Sequence, residues 1–285
     1  MKRCFKRVLI LLTVFVILFA ATVGVFAYRP DIQYVISSKL ELIGAGELPH
    51  KTDCGDVCEY SKEELAAMDN VVFNESMRLI NEENPCGGEQ FDIGEYKDSG
   101  VYMNTCALED YAALSQAVRK ETATPLYVSS AYRSYDEQVQ IYESDDDSVA
   151  AKPGTSEHEA GLGIDLYVSG FAGYGFLKSE AGQFVDSNAW KYGFIIRYPV
   201  GKRSETGIKY EPWHIRYVGQ PHSEIISRNG LCLEEYVKIF EPGAFYSYGR
   251  YILTVQQGDS FNLPRTFSHA VISEINGGRY MITVT

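Results

Sequence analysis

The spacing of apolar and polar positions divides the chain into stretches of two kinds. Residues 107–122 (ALEDYAALSQAVRKET) set their apolar side chains at helical spacing and predict a helix, and residues 135–144 (YDEQVQIYES) predict another. Between them, PLYVSSAYRS at 125–134 reads as a buried strand that ends at a polar edge. GIDLYVSG (163–170), YGFIIRYPV (192–200) and PWHIRYVG (212–219) are short β-rich runs bounded by glycine and proline. Residues 221–240 read as helical with a break at Gly230. The tail from residue 251 is β-branched and aromatic, and INGGRY predicts a two-residue hairpin turn at Asn276-Gly277 or Gly277-Gly278. Further upstream, residues 60–80 carry Ser61 three positions before Glu64, a capping-box pattern that predicts one amphipathic helix within a stalk. The turn-rich run at 84–100 marks the boundary before the main domain.

The N-terminus follows neither period. Residues 8–28 form an uncharged, mostly apolar run of about 20 residues, long enough to span a bilayer. Lys2, Arg3, Lys6 and Arg7 precede it, which predicts a cytoplasmic N-terminus and an extracytoplasmic body. Small residues at Val25 to Ala27 keep a cleaved signal peptide as the alternative, with a secreted product. The expected organisation is therefore a cytoplasmic tip and anchor (1–28), a stalk and helical segment (29–92), a main domain (93–240) and a β-rich C-terminal appendage (241–285). The expected fold class is α+β, with a small antiparallel sheet flanked by helices.

Charge narrows the partners. The net charge of −12 understates the body, because the first 27 residues contribute four basic groups and no acids. Such a surface repels phosphate backbones and argues against nucleic acid. Cys4 falls on the cytoplasmic side, and the other five cysteines are odd in number, so at least one thiol stays unpaired. DCGDVC at 53–58 has the look of a metal knuckle but no second close pair, which favours a disulfide or buried thiols over zinc there.

The candidate chemistry lies in SEHEAGLGID, residues 156–165. On a helix, His158 and Asp165 would stand two turns apart, about 10 Å, too far to share an ion. A strand-turn-strand would bring them together, with AGLG as the turn. A buried His–Asp hydrogen bond is the simpler reading of these two residues alone. His214 supplies a third candidate ligand, and two nitrogens with one oxygen suit a hydrolytic zinc site with one open position. Glu211 stands three residues earlier as a candidate base. On a flat strand the two would face opposite sides, and Pro212 allows the kink that unites them. Ser130, Ser134 and Ser156 lack the Ser-x-x-Lys or Gly-x-Ser-x-Gly context of serine peptidases. His222 and His269 show no evident partners and read as structural or exposed.

SAYRSYDEQ (130–138), SEHEAGLGID (156–165) and EPWHIRYVG (211–219) together resemble the three signatures of the VanY-type zinc D-alanyl-D-alanine carboxypeptidases. That family shares its fold with VanX dipeptidases and peptidoglycan LD-carboxypeptidases. The resemblance runs from roughly residue 99 to 240. It implies that His158, Asp165 and His214 bind Zn2+, that Glu211 is the catalytic base, and that Arg133 stabilises the carbonyl oxygen as it becomes an oxyanion. Ser156 and Gln138 match positions that help hold the peptide. The implied substrate is a peptidoglycan precursor or stem peptide ending in D-Ala-D-Ala, whose trimming bears on glycopeptide resistance and equally on ordinary wall maintenance. An LD-carboxypeptidase, an endopeptidase or a silent wall-binding module would share the fold. One departure is Gly163, where the family usually has alanine; both are small, so the ligands are expected to survive.

Overall fold

The computed structural model describes residues 46–144 and 150–285, together with Ile32 and residues 34–37, helical positions in a separate short unit. The apolar run at 8–28 and the acidic loop at 145–147 lie outside the described residues. Among the described residues no helix is long and apolar enough to cross a membrane.

The strands in chain order are β1 (His50–Thr52), β2 (Val57–Ser61), β3 (Val71–Asn74), β4 (Ile93–Glu95), β5 (Tyr102–Asn104), β6 (Tyr127–Ser130) and β7 (Gly163–Tyr167). They continue with β8 (Phe194–Ile196), β9 (His214–Tyr217), β10 (Phe245–Tyr248), β11 (Tyr251–Gln257), β12 (Ser260–Pro264), β13 (Ala270–Asn276) and β14 (Arg279–Val284). The helices are α1 (Lys62–Ala66), α2 (Leu108–Thr122), α3 (Tyr135–Ser144), α4 (Glu180–Asn188), α5 (Arg203–Thr206), α6 (His222–Arg228) and α7 (Leu233–Val237).

Four strands form a small antiparallel sheet in the order β6-β7-β9-β8, and this sheet carries the candidate chemistry. Ile164, Leu166 and Val168 turn one face of β7 into the core, where Tyr111, Leu114 and Val118 of α2 meet them at helical spacing. Asp165 alternates onto the other face, as the sequence pattern predicts. The mixed α and β architecture around an antiparallel sheet also agrees with that reading.

Within the expected stalk, residues 50–74 hold three short strands and one short helix. Ser61 and Glu64 do form a reciprocal capping box, with Ser61 Oγ accepting from Glu64 N at 3.2 Å and Glu64 Oε2 from Ser61 N at 2.8 Å. The helix they start ends at Ala66, because Val71-Val72-Phe73 is a β-branched and aromatic run that pairs in parallel with β13. β1 pairs with β10 and β2 with β12, so residues 50–61 and residues 245–264 build one β region. Its main sheet has six strands, ordered β1-β10-β11-β14-β13-β3, and turns the predicted corner at Gly277-Gly278.

One face of this sheet, with Leu253, Val255 and Met281, packs on α6 and α7 and on Ile195 of β8. The opposite face, with Ile272, Ile282 and Val284, buries Leu65, Phe261 and Leu263. His222 lies in the first of these seams and is not unpartnered: Nδ1 meets Tyr236 OH at 2.7 Å and Nε2 meets Thr283 Oγ1 at 2.8 Å. Cys54, Cys58, Cys86, Cys106 and Cys232 are all unpaired. Burial pushes the Cys86, Cys106 and Cys232 thiols up to about 12, so they act as small apolar side chains.

Candidate metal centre

His158 does not stand on a strand. It sits on a single 3-10 turn, Glu157–Ala160, which Gly161 ends in the left-handed conformation at φ 64°. A Cβ at Gly161 would come within 2.6 Å of the Asn104 amide nitrogen, so glycine is required both for the turn and for the close approach. The chain then enters β7. A helical turn leading into a strand thus achieves what the sequence reading assigned to a strand-turn-strand.

Register does the rest. Asp165 pairs directly with His214 across β7 and β9, and opposite residues in an antiparallel pair share a face. The side chains meet with His214 Nδ1 at 3.0 Å from Asp165 Oδ1 and His158 Nε2 at 3.4 Å from Asp165 Oδ2. One ligand atom from each residue lies within 4.8 Å of the others. Glu211 joins through the kink at Pro212: His214 N donates to Glu211 O at 3.2 Å, closing a turn that brings Glu211 Oε2 to 3.8 Å from His214 Nδ1.

Hydrogen bonding decides what this cluster can hold. His158 Nδ1 lies 2.8 Å from the Ala131 carbonyl, which can only accept, so the ring proton is on Nδ1 and the Nε2 lone pair points at Asp165. Asp165 Oδ1 is buried without a hydrogen-bond partner. Burial opposes its charge, yet the two imidazoles facing it hold its carboxyl well below the usual range. For His214 burial acts downward, and Asp165 outweighs it, raising the imidazole to about 9. Burial lowers His158 from its ordinary value and raises Glu211, which His214 partly offsets. Two imidazoles and a carboxylate held in its charged form therefore converge on one buried point, and two nitrogens with one carboxylate are the donor set of a hydrolytic metal site.

Arg133 reaches the same neighbourhood on the loop after β6. Its backbone N–H donates to the His158 carbonyl at 3.1 Å, and its Nε is buried without a partner. Ser156 is buried at the start of the 3-10 turn, its backbone N–H 3.4 Å from Glu159 Oε1. Gln138 is fully buried on α3 and is not brought into the cluster by its hydrogen bonds. Its amide donates to the Ala151 carbonyl at 2.7 Å, which ties α3 to the following loop, and its Oε1 has no partner.

The sequence reading missed a charged layer beneath the cluster. Glu157, Arg197 and Arg216 are essentially buried, and Glu234 nearly so. Arg197 bonds Glu157 through Nε at 2.6 Å and Glu234 through both terminal nitrogens at 2.8 and 2.6 Å, and Arg216 Nη1 bonds Glu157 as well. The signal was present: Arg197 and Arg216 interrupt the apolar runs FIIRYPV and WHIRYVG, and an arginine there needs a buried counter-charge.

Residues 100–220 match the family model described as "VanY: D-alanyl-D-alanine carboxypeptidase". The chain is 40% identical over 143 residues to a D-alanyl-D-alanine carboxypeptidase of Enterococcus faecium, covering 49% of this chain and 45% of that protein. It is 33% identical over 178 residues to the bifunctional D-Ala-D-Ala dipeptidase and carboxypeptidase VanXYC of Enterococcus gallinarum, covering 56% of this chain and 93% of the relative. The chain spans about half the length of the curated relatives it matches first. Among solved structures, the D,D-dipeptidase VanXYg with a D-Ala-D-Ala phosphinate analogue aligns at TM-score 0.62 and 25% identity over 80% of this chain and 98% of that one. A point mutant of the D,D-pentapeptidase VanY of a VanB-type cassette, in complex with Zn(II), aligns at 0.51 and 31% over 57% and 98%. The LD-carboxypeptidase LdcB aligns at 0.51 and 35% over 56% and 84%.

Proposed function

The chain belongs to the VanY family of D-alanyl-D-alanine carboxypeptidases, and from that premise we propose that it is a zinc-dependent enzyme removing the C-terminal D-alanine from peptidoglycan stem peptides. The observation that carries the reading is the convergence of His158, Asp165 and His214 around an unpartnered carboxylate oxygen, with Glu211 alongside. Those three residues would hold the ion. When bound, zinc supplies a Lewis acid that polarises the peptide carbonyl and makes water a stronger acid.

The chain's own residues supply the remainder. Glu211, raised from its ordinary value chiefly by burial, is a stronger base than a surface carboxylate. It takes a proton from the attacking water and delivers it to the leaving amine of D-alanine as the C–N bond breaks. The side chain of Arg133, with an unpartnered buried Nε, stabilises the negative charge that grows on the carbonyl oxygen. Residues 8–28 would anchor the enzyme on the outer face of the membrane, where the lipid-linked precursor and the polymer are found. Loss of the D-Ala-D-Ala terminus there would contribute to glycopeptide resistance.

The test is release of free D-alanine from a muramyl pentapeptide by the full-length chain. Zinc-loaded protein should release it, a chelator should abolish release, and Glu211→Gln should lower the rate by about 10²–10⁴-fold while keeping its zinc. Release that survives chelation would refute the zinc mechanism. The 35% identity to LdcB favours one second reading, an LD-carboxypeptidase, and cleavage of tetrapeptide in place of pentapeptide would establish it.

A further inference from the structure

The two candidate imidazole ligands are supported unequally. Metal-ligating histidines donate their other ring N–H to a carboxylate or a carbonyl, which fixes tautomer and orientation. His158 has that support in the Ala131 carbonyl at 2.8 Å. The other nitrogen of His214, Nε2, is buried with no hydrogen-bond partner. What faces it, at 3.8 Å, is Glu157 Oε2, which is also buried and also without a partner.

The rest of Glu157 explains why that oxygen is free. Both arginines bond Oε1, Arg197 through Nε at 2.6 Å and Arg216 through Nη1, leaving Oε2 for something else. The arginines are anchored in turn. Arg197 holds Glu234 of α7, and Arg216 Nη2 donates to the Ser76 and Arg78 carbonyls at 3.0 and 2.6 Å. The carboxylate is therefore fixed from behind and aimed at His214.

Residue 163 keeps the approach open. A Cβ at Gly163 would lie 2.9 Å from His214 Nε2 and 3.3 Å from Glu157 Cβ, close against both members of the pair. The three ligands come together as expected with glycine at this position, and a Cβ here would require the imidazole or the strand to shift.

We propose that Glu157 is a positioning residue of the metal centre, accepting the Nε2–H of His214 and so presenting Nδ1 to the metal. The inference rests on the metal-site reading above. A neutral imidazole that ligates through Nδ1 carries its proton on Nε2. Closing the gap from 3.8 Å to an ordinary N–H···O separation of about 2.9 Å satisfies both orphaned atoms with a movement of about 1 Å.

The test uses the full-length chain in detergent, with Zn2+ as probe. Metal stoichiometry comes first: a protein that binds no zinc overturns the metal-site reading and this inference together. With zinc bound, ¹⁵N-resolved imidazole spectra of the unmutated protein should show His158 protonated at Nδ1 and His214 protonated at Nε2. A His214 proton on Nδ1 overturns this inference alone. In Glu157→Gln one amide oxygen cannot serve both the arginines and the imidazole. Its zinc affinity, by competition with a chromophoric chelator, should fall about 10–100-fold, and its Co2+-substituted form should show a shifted visible spectrum. Unchanged affinity and spectrum in the folded variant would overturn the role of Glu157. Where that variant does not fold, the spectra of the unmutated protein decide.

Discussion

The four-stranded and the six-stranded sheets both bury polar side chains, and they satisfy them differently. In the six-stranded sheet Ser273 Oγ accepts from Met77 N at 2.8 Å, Thr283 meets His222, and Gln256 bonds both the N–H and the carbonyl of Asn262. Around the four-stranded sheet Arg133 Nε, Glu157 Oε2, Asp165 Oδ1 and His214 Nε2 are buried with no partner. The remaining two such atoms among the described residues, Gln138 Oε1 and Arg78 Nε, lie in neither sheet. Buried polar atoms are nearly always bonded, because an unmade bond leaves the full desolvation penalty in place. Two of the four, Glu157 Oε2 and His214 Nε2, face each other at 3.8 Å, and the other two, Asp165 Oδ1 and Arg133 Nε, are the atoms that the proposed metal and substrate would satisfy. One sheet is finished by folding alone, and the other is finished by what it binds.

The comparison can be broken at either sheet, beginning where the larger effect is expected. Arg133→Met removes the guanidinium proposed to stabilise the developing oxyanion, and a lost donor of that kind costs about 10²–10³-fold in turnover. Zinc content should not change, since Arg133 is not among the ligands. Wild-type kcat in this variant would return Arg133 to a structural role.

The second break is in the six-stranded sheet and is read by pH. His222 has one ring nitrogen on Tyr236 and the other on Thr283, and burial pushes it down to about 3 from 6.5. Below pH 6.5 the unfolded chain binds a proton that the folded chain excludes, so stability falls as pH drops from 6.5 towards 3. One such group removes about 1.4 kcal/mol between pH 7.5 and pH 5.5. Denaturant unfolding at pH 7.5 and at pH 5.5 should show that loss shrink in His222→Asn. An equal loss in both proteins would mean that this seam does not carry the acid sensitivity.

What the sequence disclosed followed the range of the interactions. The helix at 107–122, the hairpin corner at Gly277-Gly278 and the Ser61–Glu64 cap are written in neighbouring residues, and each is found. His158, Asp165, His214 and Glu211 were legible because a turn, a strand and a proline kink place them in short motifs whose chemistry is distinctive. The six-stranded sheet was not legible. Its β1–β10 and β3–β13 pairings join segments far apart in sequence, and no local pattern announces a partner about 200 residues away. Glu157 was missed for the same reason: its arginines stand 40 and 59 residues further along. Gly163 shows the other limit, since composition says only that it is small, whereas the nearness of the His214 imidazole to the place a side chain would take exists only in three dimensions.

The most direct test of the central claim is an anomalous difference map, at the zinc edge, from crystals of the zinc-loaded protein. The account predicts one peak about 2 Å from His158 Nε2, His214 Nδ1 and an Asp165 carboxylate oxygen. A peak held by other residues, or none at that cluster, would contradict it.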